Sequence, residues 1–290
     1  EANRAKSAAA RVKLLGSLRP GQIVPEIPRN EEPRTGLSMG EHQARTSARW
    51  GITREAQDEL AATSHQNLAA AYERGFFDDL LQPYLGLERD ENLRPDSSVE
   101  KLAKLRPVFG GPEGTMTAGN STPLSDGAAV VLLASEEWAR ERDLPVLAYL
   151  THAETAAVDY VSGEEGLLMA PAYAMPRMLA RAGLTLQDFD LYEIHEAFAA
   201  QVLSTLAAWE DPAFCKDRLG LDAPLGAIDR AKLNVNGGSL AAGHPFAATG
   251  GRIIASLAKA LHERGGGRGV ISICAAGGQG VVAILETAEA

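Results

Sequence analysis

Two stretches near the C-terminus decide the reading: "NGGSLAAGHPFAATGG" (residues 236–251) and, after a helix-patterned interval, "ISICAAGGQG" (residues 271–280). The first runs into a segment where Ile253, Leu257 and Leu261 repeat every four residues, the spacing of one helix face. The second ends an apolar run, "RGVISICA" (268–275), which "AGGQ" separates from another, "GVVAILE" (280–286). Two strands that close leave no room for a crossover helix, so they pair antiparallel. Upstream, "DFDLYEI" (188–194) reads as a strand, and "EAFAAQVLSTLAAW" (196–209) reads as a helix. "APAYAMPRMLARAGL" (170–184) reads as a helix carrying an unfavourable Pro176. "DGAAVVLLAS" (126–135) and "LPVLAYLTHA" (144–153) have the β-branched content and flanking turn residues of buried strands. Strands alternating with helices predict an α/β fold with a mostly parallel central sheet.

The N-terminal part reads differently. "TREAQDELAATSHQNLAAAYERG" (53–75) predicts a helix with Thr53 as N-cap and Gly75 as its stop. Leu60, Ala61, Ser64, Leu68 and Ala71 share one face of it. A short helix, "SSVEKLAKL" (97–105), is closed by Arg106-Pro107. The first 35 or so residues are a connector, broken by Pro20, Pro25, Pro28 and Pro33. The opening "EANRAKSAAARVKLLGSLRPG" (1–21) has the basic, helix-prone composition of a mitochondrial presequence. It lacks an initiator Met and runs into patterned chain, so it is expected to be interior sequence.

With 45% hydrophobic and 23% charged residues in 290, the composition is that of a globular protein of roughly two domains. No apolar run reaches the roughly 20 residues of a membrane span. A net charge of −10 argues against a nucleic-acid partner, which needs clustered Lys and Arg. Two cysteines, Cys215 and Cys274, make neither a disulfide framework nor a zinc spacing. A reducing compartment follows: the cytoplasm of a bacterium or, as the second choice, the mitochondrial matrix.

Three residues stand where chemistry is expected. Cys274 ends a strand beside a glycine loop whose N–H groups, at Ala276, Gly277 and Gly278, would form an anion-binding concavity. A lowered thiol pKa is the expectation there. A buried core cysteine reads equally well from position alone. His244 sits in the turn that opens a helix, and His195 joins a strand to a helix at the edge where α/β proteins bind ligands. Both also read as ordinary loop histidines. Glu196 reads as a helix-start carboxylate. His42, His65, His152 and His262 have no comparable setting, and His65 and His262 fall on predicted helix surfaces. Cys215 lies in a polar loop without a neighbouring histidine.

Six stretches, in order, resemble the thiolase family: "LSMGEHQA" (37–44), "GITREAQDELAATSHQ" (51–66), "GTMTAGNSTPLSDGAAVVLL" (114–133), "HEAFAAQ" (195–201), "NVNGGSLAAGHPFAATGGR" (234–252) and "CAAGGQG" (274–280). Histidine in "HEAFAAQ", where many thiolases carry Asn, and "CAAGG" are similar to the β-subunit type of fatty-acid oxidation trifunctional complexes. The resemblance implies two related βαβαβαββ halves in five α-β-α-β-α layers with a helical loop domain, the first half incomplete in this chain. The domains it implies are residues 1–108, a connector and helical loop domain; 109–145, the end of a first α/β half; and 146–290, a second half. It implies an acetyl-CoA acyltransferase (3-ketoacyl-CoA thiolase), which cleaves 3-ketoacyl-CoA with CoA to acetyl-CoA and a shortened acyl-CoA in β-oxidation. His244 would activate the attacking cysteine, and Cys274 would serve as acid and base. His195 would help hold the first oxyanion, and the backbone N–H of Ala276 the second. Met39, Thr151 and Phe198 match positions lining the pantetheine tunnel. Lys101, Lys104 and Arg106 read first as a solvated basic face, with contact to the CoA phosphates as the second reading.

The resemblance implies no metal and no resident cofactor, with CoA as co-substrate. It implies acyl-CoA and CoA as ligands, a homodimer or tetramer, and an α-subunit where a complex forms. The family's nucleophilic cysteine segment has no counterpart here, so the chain is expected to be part of a longer one. The alternative expectation is a non-catalytic, thiolase-like acyl-CoA-binding or scaffolding subunit. A condensing ketoacyl synthase fits less well, because a cysteine after the histidine loop is a thiolase trait.

Overall fold

The computed structural model describes residues 7–19, 21 and 29–288, and the chain divides into two compact units, Glu1–Glu31 and Glu32–Ala290. In the first unit, helix α1 (Ala8–Gly16) is capped by Ser7, whose hydroxyl accepts from the Ala10 N–H. The breaks expected at Pro20, Pro25 and Pro28 lie outside the described residues.

The second unit opens with α2 (Met39–Arg49), whose N-terminus is a capping box between Ser38 and Glu41. Next comes α3 (Arg54–Glu73). The Thr53 hydroxyl accepts from Ala56 N–H as the sequence predicts, and Gly75 turns the chain at φ +74°. The predicted face of α3 is buried, Leu60 only partly. His65 is buried with it: its Nδ1 accepts the Arg94 N–H at 3.1 Å, so it is no surface histidine. Short helix α4 (Val99–Leu102) and a two-strand ribbon, β1 (Pro107–Phe109) and β2 (Met116–Thr117), follow.

Residues 126–134, predicted as a buried strand, form none, and Val130, Leu132 and Leu133 are 93%, 70% and 65% exposed. Apolar β-branched sequence encodes a preference for burial, but a strand also needs a ladder partner. No described strand pairs with this segment. Helix α5 (Glu136–Arg140) leads into β3 (Tyr149–Ala157), the later part of the second predicted strand. It lies at a sheet edge with alternating exposure and is not buried on both faces.

The main sheet also contains β4 (Leu191–Ile194), β5 (Arg268–Ala275) and β6 (Gln279–Glu286), in the order β3-β6-β5-β4. Only β4 and β5 are parallel; β5–β6 and β6–β3 are antiparallel, so the expected mostly parallel sheet is corrected. The tight β5–β6 hairpin reverses β6, and β3 then pairs with β6 in the opposite sense.

One face of this sheet packs on α6 (Ala170–Ala182) and α7 (Ala199–Glu210). Met175, Met178, Trp209, Tyr192, Val282 and Ile284 interlock there. The other face packs on α10 (Ala247–Glu263) through Leu257, Leu261, Ile271 and Leu285. Two short helices, α8 (Pro212–Asp217) and α9 (Ser239–Ala242), lie between α7 and α10 in the chain. Each large side chain buried in these layers contributes about 1.5–3 kcal/mol, enough to fix the strand ends that carry the site.

Candidate active site

β4 delivers His195. The His195 N–H donates to Ser272 O at 2.8 Å, extending the parallel β4–β5 pairing by one residue. The chain then leaves the sheet, and the ring turns to face His244 with centroids 4.2 Å apart and planes at 45°. His244 precedes α10, whose Thr249 Oγ1 lies 2.7 Å from its Nδ1. His195 Nδ1 lies 2.8 Å from Ser239 Oγ. Residues 121–124 frame this pair through bridges from Ser121 to Phe198 and from Leu124 to His244. Between His244 and α10, Phe246 holds φ +28°, a strained backbone for a non-glycine residue, of the kind that collects at functional sites.

Both imidazoles are held neutral. Burial pushes His244 down to about 4, with the Arg252 charge adding to the effect. Burial pushes His195 well below the usual histidine range, helped by His244 and Arg252.

Glu196 is not the helix-start carboxylate the sequence suggests, because α7 begins only at Ala199. It is buried and accepts from Ser64 Oγ at 2.7 Å, Asn234 Nδ2 at 2.7 Å and Leu240 N–H at 3.1 Å. This explains one glycine of the opening motif. A Cβ on Gly238 would stand 2.3 Å from the Glu196 carboxylate, so the small residue makes room for protein and not for a ligand. Gly238→Ala is expected to lower stability by about 1–3 kcal/mol, the range for overpacking. Urea unfolding checks it, and an unchanged midpoint would mean that Glu196 moves aside freely.

Cys274 occupies the end of β5, opposite Gly280 of β6, and is packed with Phe198, Ala200, Tyr160 and, at the rim, Met39. The structure therefore places Phe198 in the same hydrophobic cluster as the cysteine, with Met39 packed against that cluster. Burial pushes the Cys274 thiol up to about 12, which corrects the lowered value predicted from the loop. No positive group offsets its desolvation.

The glycine loop does hold an anion, and it is the chain's own. Gly277 N–H donates to Glu32 Oε1 at 2.6 Å, and the Tyr160 hydroxyl donates to Glu32 Oε2 at 2.8 Å. Ala276 is exposed beside it at the hairpin tip.

Thr151 is not brought to the site. Cys274 is level with Gly280 and, across β6, with Ala156, whereas Thr151 lies five residues back along β3. That places it about 17 Å away at the usual rise per residue, where its hydroxyl bonds Glu286. Lys101 pairs with Asp96 on an exposed turn, in keeping with a solvated face. Cys215 lies in α8, fully buried, with Sγ donating to the carbonyls of Ala208 and Trp209 at 3.5 Å.

The sequence reading missed Ser239, Thr249, Arg252 and Glu32. Thr249 stands one helical turn past His244, a signal present in the motif; the others meet the site only through the fold.

Comparison with known proteins gives the family. Residues 24–137 match the family model of the thiolase N-terminal domain, and residues 144–287 that of the thiolase C-terminal domain. A 3-ketoacyl-CoA thiolase of Pectobacterium atrosepticum is 45% identical over 98% of this chain and 66% of its own length. One of Yersinia pestis is 43% identical over 99% of this chain and 66% of its own length. The chain thus spans 66% of the length of these curated relatives. The crystal structure of Bacillus anthracis acetyl-CoA acetyltransferase superposes with a TM-score of 0.77 at 36% identity, covering 93% of this chain and 68% of that one. Human mitochondrial 3-ketoacyl-CoA thiolase in complex with CoA gives 0.77 at 31% identity, over 93% and 66%. With six motifs in order, both domain models matched and the fold shared, this chain belongs to the thiolase family.

Proposed function

We propose that the chain carries the acid/base and oxyanion-holding half of a 3-ketoacyl-CoA thiolase. The observation that supports this most is the neutral His195–His244 pair, 4.2 Å apart, beside the strand end that bears a fully protonated Cys274. An attacking cysteine thiolate adds to the C3 carbonyl of a 3-ketoacyl-CoA after His244 takes its proton. His244 is a weak base when alone, but a thiolate forming beside it favours the imidazolium. The carbonyl oxygen gains the negative charge, and a neutral imidazole N–H is a suitable donor to it. The C2–C3 bond then breaks, and its electron pair leaves as the enolate of acetyl-CoA. Cys274 gives its proton to that carbon. As a thiolate it next takes the proton of incoming CoA, an ordinary thiol near 8.5. The CoA sulfur attacks the acyl thioester and frees the nucleophile.

The attacking thiol is neither cysteine of this chain: Cys215 is sealed in α8, and Cys274 has the acid/base role. This reading assigns the nucleophile to a part of the family fold outside these 290 residues. Acyl-CoA and CoA are the ligands. A homo-oligomer, an α-subunit partner and a cytoplasmic location extend the same reading; among the described residues no helix is long and apolar enough to cross a membrane.

The test is incubation of the full protein with a 3-ketoacyl-CoA and CoA, following acetyl-CoA release and intact mass. CoA-dependent cleavage with a transient acyl thioester is the expected result. Saturable binding without cleavage or acylation would overturn the reading in favour of an acyl-CoA carrier.

A further inference from the structure

Ser239 and Arg252 have no role in the chemistry just described, yet they sit directly behind one of its histidines. Ser239 opens α9 and is fully buried. Its Oγ has two partners among the described residues: His195 Nδ1 at 2.8 Å and Arg252 Nη2 at 2.7 Å. A guanidinium can only donate. Arg252 therefore occupies a lone pair of the serine oxygen and leaves the serine proton one acceptor, His195 Nδ1. Were Nδ1 to carry hydrogen, the buried hydroxyl proton would be stranded, which proteins avoid strongly.

We propose that Arg252 and Ser239 are positioning residues that fix His195 as the neutral Nε2–H tautomer, so that its outer nitrogen is a hydrogen-bond donor. Donation from a cation also polarises the hydroxyl and strengthens the bond it makes to Nδ1.

Arg252 is itself placed for this task. On α10, it lies within the field of Asp90, of Glu193 on β4, of Glu196 and of Tyr72. Its Nε is buried without a hydrogen-bond partner, and its bond to Ser239 is the one it makes among the described residues. A buried cation held this way also opposes protonation of the two imidazoles. The inference deepens the thiolase reading and rests on it for the role of the donor, since an Nδ1–H ring would turn a lone pair toward the oxyanion and repel it. The tautomer itself stands on the hydrogen-bond geometry alone.

Long-range ¹H–¹⁵N correlation spectra of the full protein with ¹⁵N-labelled histidine read the tautomer directly, with His195→Gln used to assign the signal. The unaltered protein is expected to show His195 neutral and protonated at Nε2 at and above pH 6.5, the ordinary histidine pKa. An Nδ1–H ring in that spectrum overturns the proposal without any variant. Ser239→Ala is expected to admit an Nδ1–H population, and Ser239→Thr, which keeps the hydroxyl, to restore Nε2–H. A Ser239→Ala spectrum identical to the parent's would also overturn it. In thiolysis, Ser239→Ala is expected to lower kcat about 10- to 100-fold, as for other outer-shell partners, with KM within about twofold and recovery in Ser239→Thr. If the parent shows the Nε2–H ring but no thiolysis, the functional reading fails while the tautomer assignment stands.

Discussion

Cys274→Ala is expected to reduce thiolysis of a 3-ketoacyl-CoA by about 100- to 10,000-fold, the range for removing a general acid/base. The reason lies in which step needs the proton. Carbon–carbon cleavage expels an enolate carbanion, a strong base that must be protonated as it leaves. A thiol held at about 12 by burial retains its proton across the whole physiological range and can supply it. Transfer of an acyl group from a simple acyl-CoA onto the attacking cysteine expels only a thiolate, which leaves without such help. The variant is therefore expected to acylate from acyl-CoA, seen as a mass increase, while cleavage of 3-ketoacyl-CoA is lost. Equal loss of both reactions would mean that the substitution damages the site generally. Unchanged cleavage would remove Cys274 from the mechanism.

Folding stability is expected to peak near pH 6.5, about the ordinary histidine pKa, and to fall on both sides. His65 and His244 both drop from 6.5 to about 4 on folding, so between those values the unfolded chain binds more protons. The stability associated with each is present above 6.5 and lost as pH falls through 4, about 3 kcal/mol apiece. His195 acts in the same direction. Glu193 works the other way. Burial raises it from 4.5 to about 8, so its contribution is present below 4.5 and lost as pH rises through 8. Between pH 6.5 and 8 that loss is about 2 kcal/mol, and Glu196, also raised, adds to it. Urea midpoints taken from pH 5 to 8 check the profile. Glu193→Gln is expected to flatten the alkaline side and to steepen the acid side above pH 4.5, where Glu193 opposes the histidines. A parent protein still gaining stability from pH 6.5 to 8 would show that Glu193 is ionised in the fold.

Where the sequence could be read, the signal was local. The α3 boundaries follow from Thr53 and Gly75, and the β5–β6 hairpin follows from a four-residue gap that no crossover could fill. His195, His244 and Cys274 stand out because each ends or begins an element, and the fold places Phe198 in the cluster that holds Cys274, with Met39 packed against it. What failed was partnership. Residues 126–134 show their apolar character in sequence, but nothing in them names the strand they would pair with. Thr151 lies on the right sheet, and only the strand register shows it to be at the wrong end. The groups that set the electrostatics of the site are brought together over long spans: Ser64 reaches Glu196 across 132 residues and Gly277 reaches Glu32 across 245. No periodicity encodes such contacts. The thiol pKa was misread for the same reason, since a glycine loop suggests donors while burial around the sulfur depends on helices far away in the chain.

The carboxylate of Glu32, seated on Gly277 N–H and the Tyr160 hydroxyl, bears on which molecules can interfere with the site. A free fatty acid or inorganic phosphate arriving at the hairpin tip finds the Gly277 donor already taken and a like charge beside it. A thioester carbonyl is uncharged and meets no such repulsion. Glu32 thus keeps that loop donor occupied by the chain's own carboxylate.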